Sequence, residues 1–268
     1  MQTHTHPIIS NRSLQGSIPP EEWQARVDLA ACYRLHAHYG WTDLIYTHIS
    51  ARVPGEQAHF LLNPFGLMFD EVTASNLVKI DLDGNVISSL GHAIHRAGFV
   101  IHSAVHAARP DAHCVIHAHT RAGMAVSCMK GGLLNLTQHA MFFHDRVAYH
   151  DSEGLANDLS ERERLARDLG DKQIMILRNH GTLVAGQSVA QAFSMMWHLE
   201  CALKAQADVL ASGQEYTQPS NALASRISKM GYNVPGEVRA NGTVNPMGFA
   251  EWPALLRMLD KIDPSYQT

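Results

Sequence analysis

Short strand-like segments joined by very short turns are the feature that most constrains the fold of this chain. The segments Leu44–Arg52 and Ala58–Asn63 are rich in apolar and β-branched residues, and only the turn Val53-Pro54-Gly55-Glu56 separates them. The segment Leu77–Leu82 is followed in the same way by the hairpin turn Asp83-Gly84. Such turns join antiparallel strands, because parallel neighbours need a crossover of about a dozen or more residues. We therefore predict an α/β fold with a central mixed, largely antiparallel sheet rather than a doubly wound parallel one.

Apolar residues at helical spacing predict helices that cover both faces of this sheet. The first predicted helix begins near Ile18 and ends at Gly40, and the longest covers Ser188–Ser212. After Gly213 the sequence is rich in loop-forming residues up to a last predicted helix at Glu251–Ile262.

The distribution of polar residues and linkers predicts three parts of the chain. Residues 1–17 are polar and are expected to form a flexible N-terminal arm. No linker rich in Pro, Gly or Ser divides residues 18–215, so we expect one domain there. Residues 216–268 are predicted to form a C-terminal extension that packs on this domain or on a neighbouring subunit.

Charge and composition argue against two classes of partner and suggest a compartment. The net charge of −4 and the lack of any Lys/Arg block argue against a nucleic-acid surface. No apolar run approaches the roughly 20 residues of a membrane span, and the polar start does not resemble a signal peptide. The four cysteines, which lie far apart in apolar surroundings, are expected to be buried free thiols in a reducing cytoplasm; they are Cys32, Cys114, Cys128 and Cys201.

Three histidines in two apolar segments carry the strongest chemical signal. His117 and His119 lie in the apolar run Cys114–Thr120, and side chains two apart in a strand share a face. His180 follows a second apolar run, Ile174–Leu177, which places it at a strand end. Three protein ligands with an open fourth position are typical of catalytic metal sites. The spacing therefore predicts a divalent metal that acts on a small-molecule ligand.

The spacing alone leaves a second interpretation open. The chain contains 18 histidines, so pairs two apart also arise by chance and often are ordinary histidines. Gly181 favours the metal site, since glycine permits a tight turn beside His180. Imidazole suits several metals, so the histidines do not choose among them.

Five longer motifs carry a resemblance to a known family. They are Ala97-Gly98-Phe99-Val100-Ile101-His102-Ser103-Ala104, Ala108-Arg109-Pro110-Asp111-Ala112, Val115-Ile116-His117-Ala118-His119-Thr120, Val147-Ala148-Tyr149-His150-Asp151 and Ile176-Leu177-Arg178-Asn179-His180-Gly181. Together they resemble the class II aldolase/adducin family over about residues 22–215. The chain resembles the adducin-like branch more closely than the sugar-phosphate aldolases.

The resemblance implies a fold, a cofactor and an assembly. The family fold is a three-layer α/β/α sandwich around a mixed, largely antiparallel sheet. In its enzymes the histidines that match His117, His119 and His180 hold a divalent metal, which is usually zinc, with iron or manganese as alternatives. Family enzymes are commonly tetramers with sites at subunit boundaries, so we expect a homo-oligomer, with a tetramer favoured.

The chain departs from the aldolases at the acid/base position. The aldolase glutamate, which also ligates the metal at rest, sits four residues before the position of His102, and Gly98 stands there in this chain. The tyrosine that a neighbouring aldolase subunit lends falls near Gln138-His139. A standard retro-aldol mechanism is therefore not expected.

The chain also departs from the aldolases at the phosphate-binding positions. Two aldolase serines correspond to Arg96 and Ala97, and a Gly-Asn pair resembles Thr47-His48. Of a Thr-Gly pair only the glycine remains, in Asn63-Pro64-Phe65-Gly66. We therefore expect a non-phosphorylated oxo- or hydroxy-acid, with Arg96, Asn63 and Gly66 as candidate substrate-binding residues, although Arg96 is equally well explained as a solvated helix residue.

Several other residues compete for the role of the missing acid/base. His48 and His139 are the candidates, because a histidine titrates near neutral pH, whereas Tyr149 is expected to be structural. His102 and His106 are spaced as a helical ligand pair, but we expect His102 to pack beneath the metal strand. Glu200 is either a buried partner of a metal-bound imidazole or an ordinary solvated helix residue.

Three functions remain open from the sequence. The first is a metal-dependent lyase that cleaves a carbon–carbon bond or decarboxylates its substrate through a metal-bound enolate. The second is a non-catalytic, adducin-like oligomeric binding module, which Gly98 favours. The third is a non-haem iron oxygenase on the same fold.

Overall fold

The computed structural model describes residues 13–56, 58–154, 158–230, 233–238 and 244–268. Of the predicted N-terminal arm, residues 1–12 lie outside this part. In the described residues the chain forms eight α-helices, which are α1 (Pro20–His38), α2 (Arg96–Ala108), α3 (Arg121–Ser127), α4 (Gln138–Met141), α5 (Glu161–Leu169), α6 (Val189–Ala211), α7 (Asn221–Met230) and α8 (Glu251–Ile262). Two 3₁₀ turns cover Phe69–Glu71 and Pro264–Gln267.

Eight strands of the described residues form one central sheet. They are β1 (His48–Arg52), β2 (His59–Leu62), β3 (Val78–Asp81), β4 (Val86–Ser88), β5 (Cys114–Ala118), β6 (Val147–His150), β7 (Ile174–Leu177) and β8 (Gly181–Gly186), in the order β4-β3-β2-β1-β5-β8-β7-β6. All neighbours are antiparallel except β6 and β7. A separate hairpin pairs β9 (Asn233–Val238) with β10 (Val244–Pro246). The predicted mixed, largely antiparallel sheet is confirmed.

Helices cover both faces of the sheet and give the predicted three layers. Ile116 of β5 belongs to an apolar core with Leu29 of α1 and Phe193 of α6. The next residue back, Val115, belongs to a second core with Ile101 of α2 and other residues from α5. Because strand side chains alternate between faces, the central strand β5 separates the two cores. Its histidine therefore projects toward the α2 side.

The C-terminal segment packs on the first helix. Trp252 of α8 donates its indole N–H to Asp28 Oδ1 at 3.0 Å, and Arg34 pairs with Asp263 at 2.9 Å. The backbone N–H of Ala74 donates to the carbonyl oxygen of Tyr266. No helix in the described ranges is both long and apolar enough to span a bilayer.

Some of the sequence-based elements are wrong. The predicted strand over Leu44–Arg52 begins only at His48, because residues 43–47 form a tight turn. Helix α7 lies in sequence that we predicted to be rich in loops, and α4 lies in a segment for which we predicted no element. Cys32 and Cys114 are buried as expected, whereas Cys128 is exposed, and no disulfide links the four cysteines.

Candidate metal centre

His117 lies in the middle of the sheet, and the chain directions around it create the site. Strand β5 runs between β1 and β8, which places His117 beside His48 of β1 and Leu183 of β8. His119 follows β5 directly, on the same side as His117, since the two are separated by one residue. Their Nε2 atoms lie 2.9 Å apart.

The hydrogen bonds of these two rings determine which nitrogen can bind a metal. His117 Nδ1 lies 3.0 Å from the carbonyl oxygen of Thr182, and His119 Nδ1 lies 2.9 Å from Asp43 Oδ2. A carbonyl and a carboxylate only accept hydrogen bonds, so both Nδ1 atoms donate. The Nε2 atom of each ring is then the nitrogen that can ligate a metal, and the two Nε2 atoms face one another.

His180 reaches the same point from the turn between β7 and β8. Asn179 adopts φ of 56°, which turns the chain sharply before His180. The centroid of the His180 ring lies 4.8 Å from that of His117 and 4.7 Å from that of His119. One ring nitrogen from each of the three histidines lies within 4.8 Å of the others.

Gly181 is needed for space as well as for turning. A Cβ at this position would lie 2.5 Å from the carbonyl oxygen of Ala118 and 3.1 Å from His119 Cδ2. The backbone of β8 therefore approaches β5 more closely than any side chain at this position allows. This close approach brings His180 to the pair on β5.

Burial keeps two of the three rings neutral. Burial and, to a smaller extent, the neighbouring His119 lower the pKa of His180 to about 4. Burial, followed by the proximity of His180 and His119, holds the pKa of His117 well below its usual value. Neutral imidazole is the form that ligates metals, so the site is ready to bind at neutral pH. Three imidazole nitrogens within 4.8 Å of one another fit a divalent ion such as zinc, which takes a further ligand in catalytic sites.

Asp43 is a site residue that the sequence did not reveal. Its carboxylate orients His119, as carboxylates commonly do for metal-binding histidines. It sits at the start of a turn in which Leu44 and Thr47 adopt φ of 50° and 68°. No motif marks such a turn, because neither residue type favours a positive φ.

His48 occupies the space of the missing side chain at position 98. A Cβ built on Gly98 would lie 2.5 Å from His48 Cδ2 and 2.6 Å from its Cγ. The His48 ring stacks on His117 with centroids 5.9 Å apart, and its Nε2 lies 3.3 Å from His95 Nδ1. Burial and then nearby His102 hold the pKa of His48 well below its usual value. The glycine at position 98 therefore leaves the space that the His48 ring fills.

The candidate substrate-binding residues lie at the start of α2 and just after β2. Arg96 is exposed at the first position of α2. Asn63 is buried, and its Oδ1 accepts a hydrogen bond from Tyr33 Oη at 2.9 Å. Gly66 has φ of 97° in the turn after β2. Their part in binding a substrate stays a prediction.

The other candidates lie in different surroundings. His139 pairs with His198 of α6, with their Nδ1 atoms 2.8 Å apart. The hydroxyl of Tyr149 accepts from the backbone N–H of Leu133. Glu200 is buried, yet it accepts from Thr120 Oγ1 at 2.7 Å rather than from an imidazole. The alternative in which Glu200 supports a metal ligand is therefore wrong; it supports the hydroxyl that caps α3.

His102 and His106, which we did not expect to bind the metal, form hydrogen bonds in the protein interior. His102 Nδ1 and His106 Nε2 lie 2.6 Å and 2.7 Å from Ser50 Oγ. Both rings are buried beneath the sheet, as expected for His102.

Comparisons with known proteins agree with the geometry. The profile of the class II aldolase and adducin N-terminal domain matches residues 27–207. A Caulobacter vibrioides protein named "Putative aldolase class 2 protein" is 48% identical over 95% of this chain and 96% of its own length. Mouse alpha-adducin is 44% identical over 88% of this chain, which spans 33% of the adducin.

A solved structure supports the same assignment. The aldolase II superfamily protein from Pseudomonas syringae superposes with a TM-score of 0.88 at 48% identity, over 96% of this chain and 100% of that one. The profile match alone covers more than half of the sequence. The chain belongs to the class II aldolase and adducin family.

Proposed function

We propose that this chain is a divalent-metal-dependent lyase that acts on a small, non-phosphorylated oxo- or hydroxy-acid. The observation that carries the proposal is the 2.9 Å separation of the Nε2 atoms of His117 and His119. Their Nδ1 atoms already donate to Thr182 and Asp43, so it is the Nε2 lone pairs that are available to a cation. A cation held by both rings and by His180 satisfies these lone pairs.

Zinc is the first candidate for this cation, with iron or manganese as alternatives. A divalent ion with three neutral ligands keeps its full charge and polarises a carbonyl or carboxylate oxygen of the substrate. The residues of the chain then bind and orient the acid. We assign this role to Arg96, for the carboxylate, and to the turn that contains Asn63 and Gly66.

Because position 98 has no side chain, we favour a cleavage reaction that needs few acid or base groups from the protein. Gly98 offers no carboxyl, and the neutral ring of His48 lies where a side chain would project. His48 is the first candidate for proton transfer, because its buried Nδ1 has no hydrogen-bond partner among the described residues, although its low pKa makes the ring a weak base at neutral pH. His139 is the second candidate for proton transfer. Decarboxylation or simple carbon–carbon cleavage makes smaller demands on such groups than a full aldol reaction.

A non-catalytic, adducin-like module is the main alternative. The similarity to alpha-adducin and the glycine at position 98 favour it. Gly98→Glu alone would not test for aldolase activity, because the new side chain would collide with His48. A combined Gly98→Glu and His48→Asn variant is the appropriate test of dormant aldolase chemistry.

We further propose a homo-oligomer, with a tetramer favoured, in the cytoplasm. The family resemblance supports the oligomer. The four cysteines, none of which forms a disulfide, fit a reducing compartment.

Turnover of a panel of 2-oxo and 2-hydroxy acids tests the proposal. The protein is loaded with Zn²⁺, Fe²⁺ or Mn²⁺ and product is measured with and without oxygen. A lyase gives oxygen-independent product that His117→Ala abolishes and that His113→Ala, an exposed control in the same segment, retains. Consumption of oxygen with Fe²⁺ would indicate an oxygenase instead. Stoichiometric metal without turnover of any acid would indicate the binding module.

A further inference from the structure

The turn that orients the metal ligand also presents apolar side chains to solvent. Asp43 points inward to His119, while Leu44 and Tyr46 are 65% and 45% exposed. The turn closes through a hydrogen bond from the Tyr46 N–H to the Asp43 carbonyl oxygen. Thr47 has φ of 68°, which is unfavourable for a β-branched residue. A residue held in such a conformation costs free energy, and residues of this kind cluster at functional sites.

A second turn places another exposed ring at the same place. Phe65 is 41% exposed in the turn after β2, and Met68 just beyond it is 37% exposed. The Phe65 N–H donates to the carbonyl oxygen of Ala93 at 2.8 Å, which fixes this turn against the segment that leads into α2. His95, the residue before α2, therefore lies between the two turns.

Aromatic contacts connect these exposed rings to the metal ligands. The His95 ring lies 4.8 Å from that of Phe65 and 6.2 Å from that of Tyr46. On its other side His95 stacks on His48 at 5.3 Å, and His48 stacks on His117 at 5.9 Å. The row of rings extends without interruption from the candidate metal centre to the surface.

The charge of the two turns does not suit a phosphate. Neither residues 41–50 nor residues 63–68 contain a lysine or an arginine. Burial lowers the pKa of His95, so this ring also favours its neutral form. Flat, neutral rings attract flat apolar groups by stacking and by removal of apolar surface from water.

We propose that Tyr46, Phe65 and His95 form a subsite for the flat, apolar substituent of the acid, so that the substrates are aryl-substituted 2-oxo or 2-hydroxy acids. The inference rests on the proposed function, because the acid end of the substrate is held at the three histidines. A second copy of the chain is the competing occupant of these exposed rings.

Binding of two probes that differ only in a ring tests the subsite. Phenylpyruvate and pyruvate are titrated calorimetrically into the zinc-loaded protein, and the ratio of their dissociation constants is compared among variants. Wild type should bind phenylpyruvate about tenfold more tightly or better, as expected for burial of a phenyl ring. Phe65→Ala should reduce this preference to about threefold or less. Val86→Ala, an exposed apolar control on β4, should leave it unchanged.

The other outcomes distinguish failure of the aromatic subsite from failure of the proposed metal-dependent function. Equal binding of the two acids, or a preference that survives Phe65→Ala, would overturn the subsite and leave the metal-dependent function standing. Binding of neither acid to zinc-loaded protein would overturn both. A smaller species of Phe65→Ala in analytical ultracentrifugation would assign the rings to a contact between copies and would also overturn the subsite.

Discussion

The contact between Gly98 and His48 makes an unusual prediction about helix stability. Gly98 lies inside α2, where replacing glycine by alanine ordinarily stabilises a helix by about 1 kcal/mol. We predict the opposite sign, because the new Cβ would lie 2.5 Å from Cδ2 and 2.9 Å from Nε2 of His48.

The His48 ring cannot easily move away. It is 4% exposed, it stacks between His95 and His117, and it meets His102 edge-on with centroids 5.7 Å apart. Adding a methyl group to such a packed site costs about 1–3 kcal/mol. Because rings pack against His48 on three sides, we take the overpacking cost as about 2–3 kcal/mol. The gain of about 1 kcal/mol in helix stability is subtracted from this cost. The free energy of unfolding of Gly98→Ala should therefore fall by about 1–2 kcal/mol.

Urea denaturation of the metal-free protein measures this effect in a double-mutant cycle. In a His48→Ala background the collision is absent, so Gly98→Ala should be stabilising by about 1 kcal/mol. The coupling energy between the two positions should then be about 2–3 kcal/mol. Gly131→Ala is the control, because its Cβ would meet only Leu134 Cδ2 at 3.6 Å, and its effect should stay within about 0.5 kcal/mol. Equal stabilisation by Gly98→Ala in both backgrounds would refute the reasoning.

Three further predictions concern polar side chains that contact the site or lie in the core. Asp43→Asn should weaken zinc binding about 10- to 100-fold in a competition titration with a chelator, because Asp43 orients His119. The control Asp83→Asn, in an exposed turn, should not change zinc affinity. Unchanged affinity in Asp43→Asn would exclude the orienting role. Burial lowers the pKa of His36 to about 4. Between about pH 6.5 and pH 4 the unfolded chain therefore takes up a proton at His36 that the folded chain does not. The free energy of unfolding falls as the pH falls through this window. His36→Leu should lessen that loss by about 3 kcal/mol across the window in denaturation curves, and an unchanged pH profile would contradict a neutral buried ring. Tyr33→Phe should lower the free energy of unfolding by about 1–3 kcal/mol, because the Tyr33 hydroxyl donates to Asn63 Oδ1 and accepts from the Ile49 N–H. A neutral effect in thermal unfolding would show that these hydrogen bonds contribute little.

The sheet could be predicted from sequence because short turns allow few connections. The turn between β1 and β2 and the hairpin after β3 admit only antiparallel neighbours, and the structure has them. The turn at residues 43–47 was not predictable, because Leu44 and Thr47 are residue types that rarely take a positive φ. Helix α7 was missed because its sequence, NALASRISKM, has few large apolar residues, and packing rather than pattern decides such segments.

The site was predictable to the extent that it depends on strand period. His117 and His119 share a face for that reason, and His180 could be placed at a strand end. The contact of His48 with Gly98 joins residues fifty positions apart, through packing of α2 against β1, and no local pattern encodes it. The same holds for Asp43, whose partner His119 is 76 residues away in sequence.

Anomalous diffraction from crystals grown with zinc tests the metal centre most directly. Data collected on both sides of the zinc absorption edge locate the ion and identify it. We predict one ion per chain, bonded at about 2.0–2.1 Å to one ring nitrogen each of His117, His119 and His180. Zinc bound elsewhere, or these three rings in ordered density with no ion between them, would contradict the account.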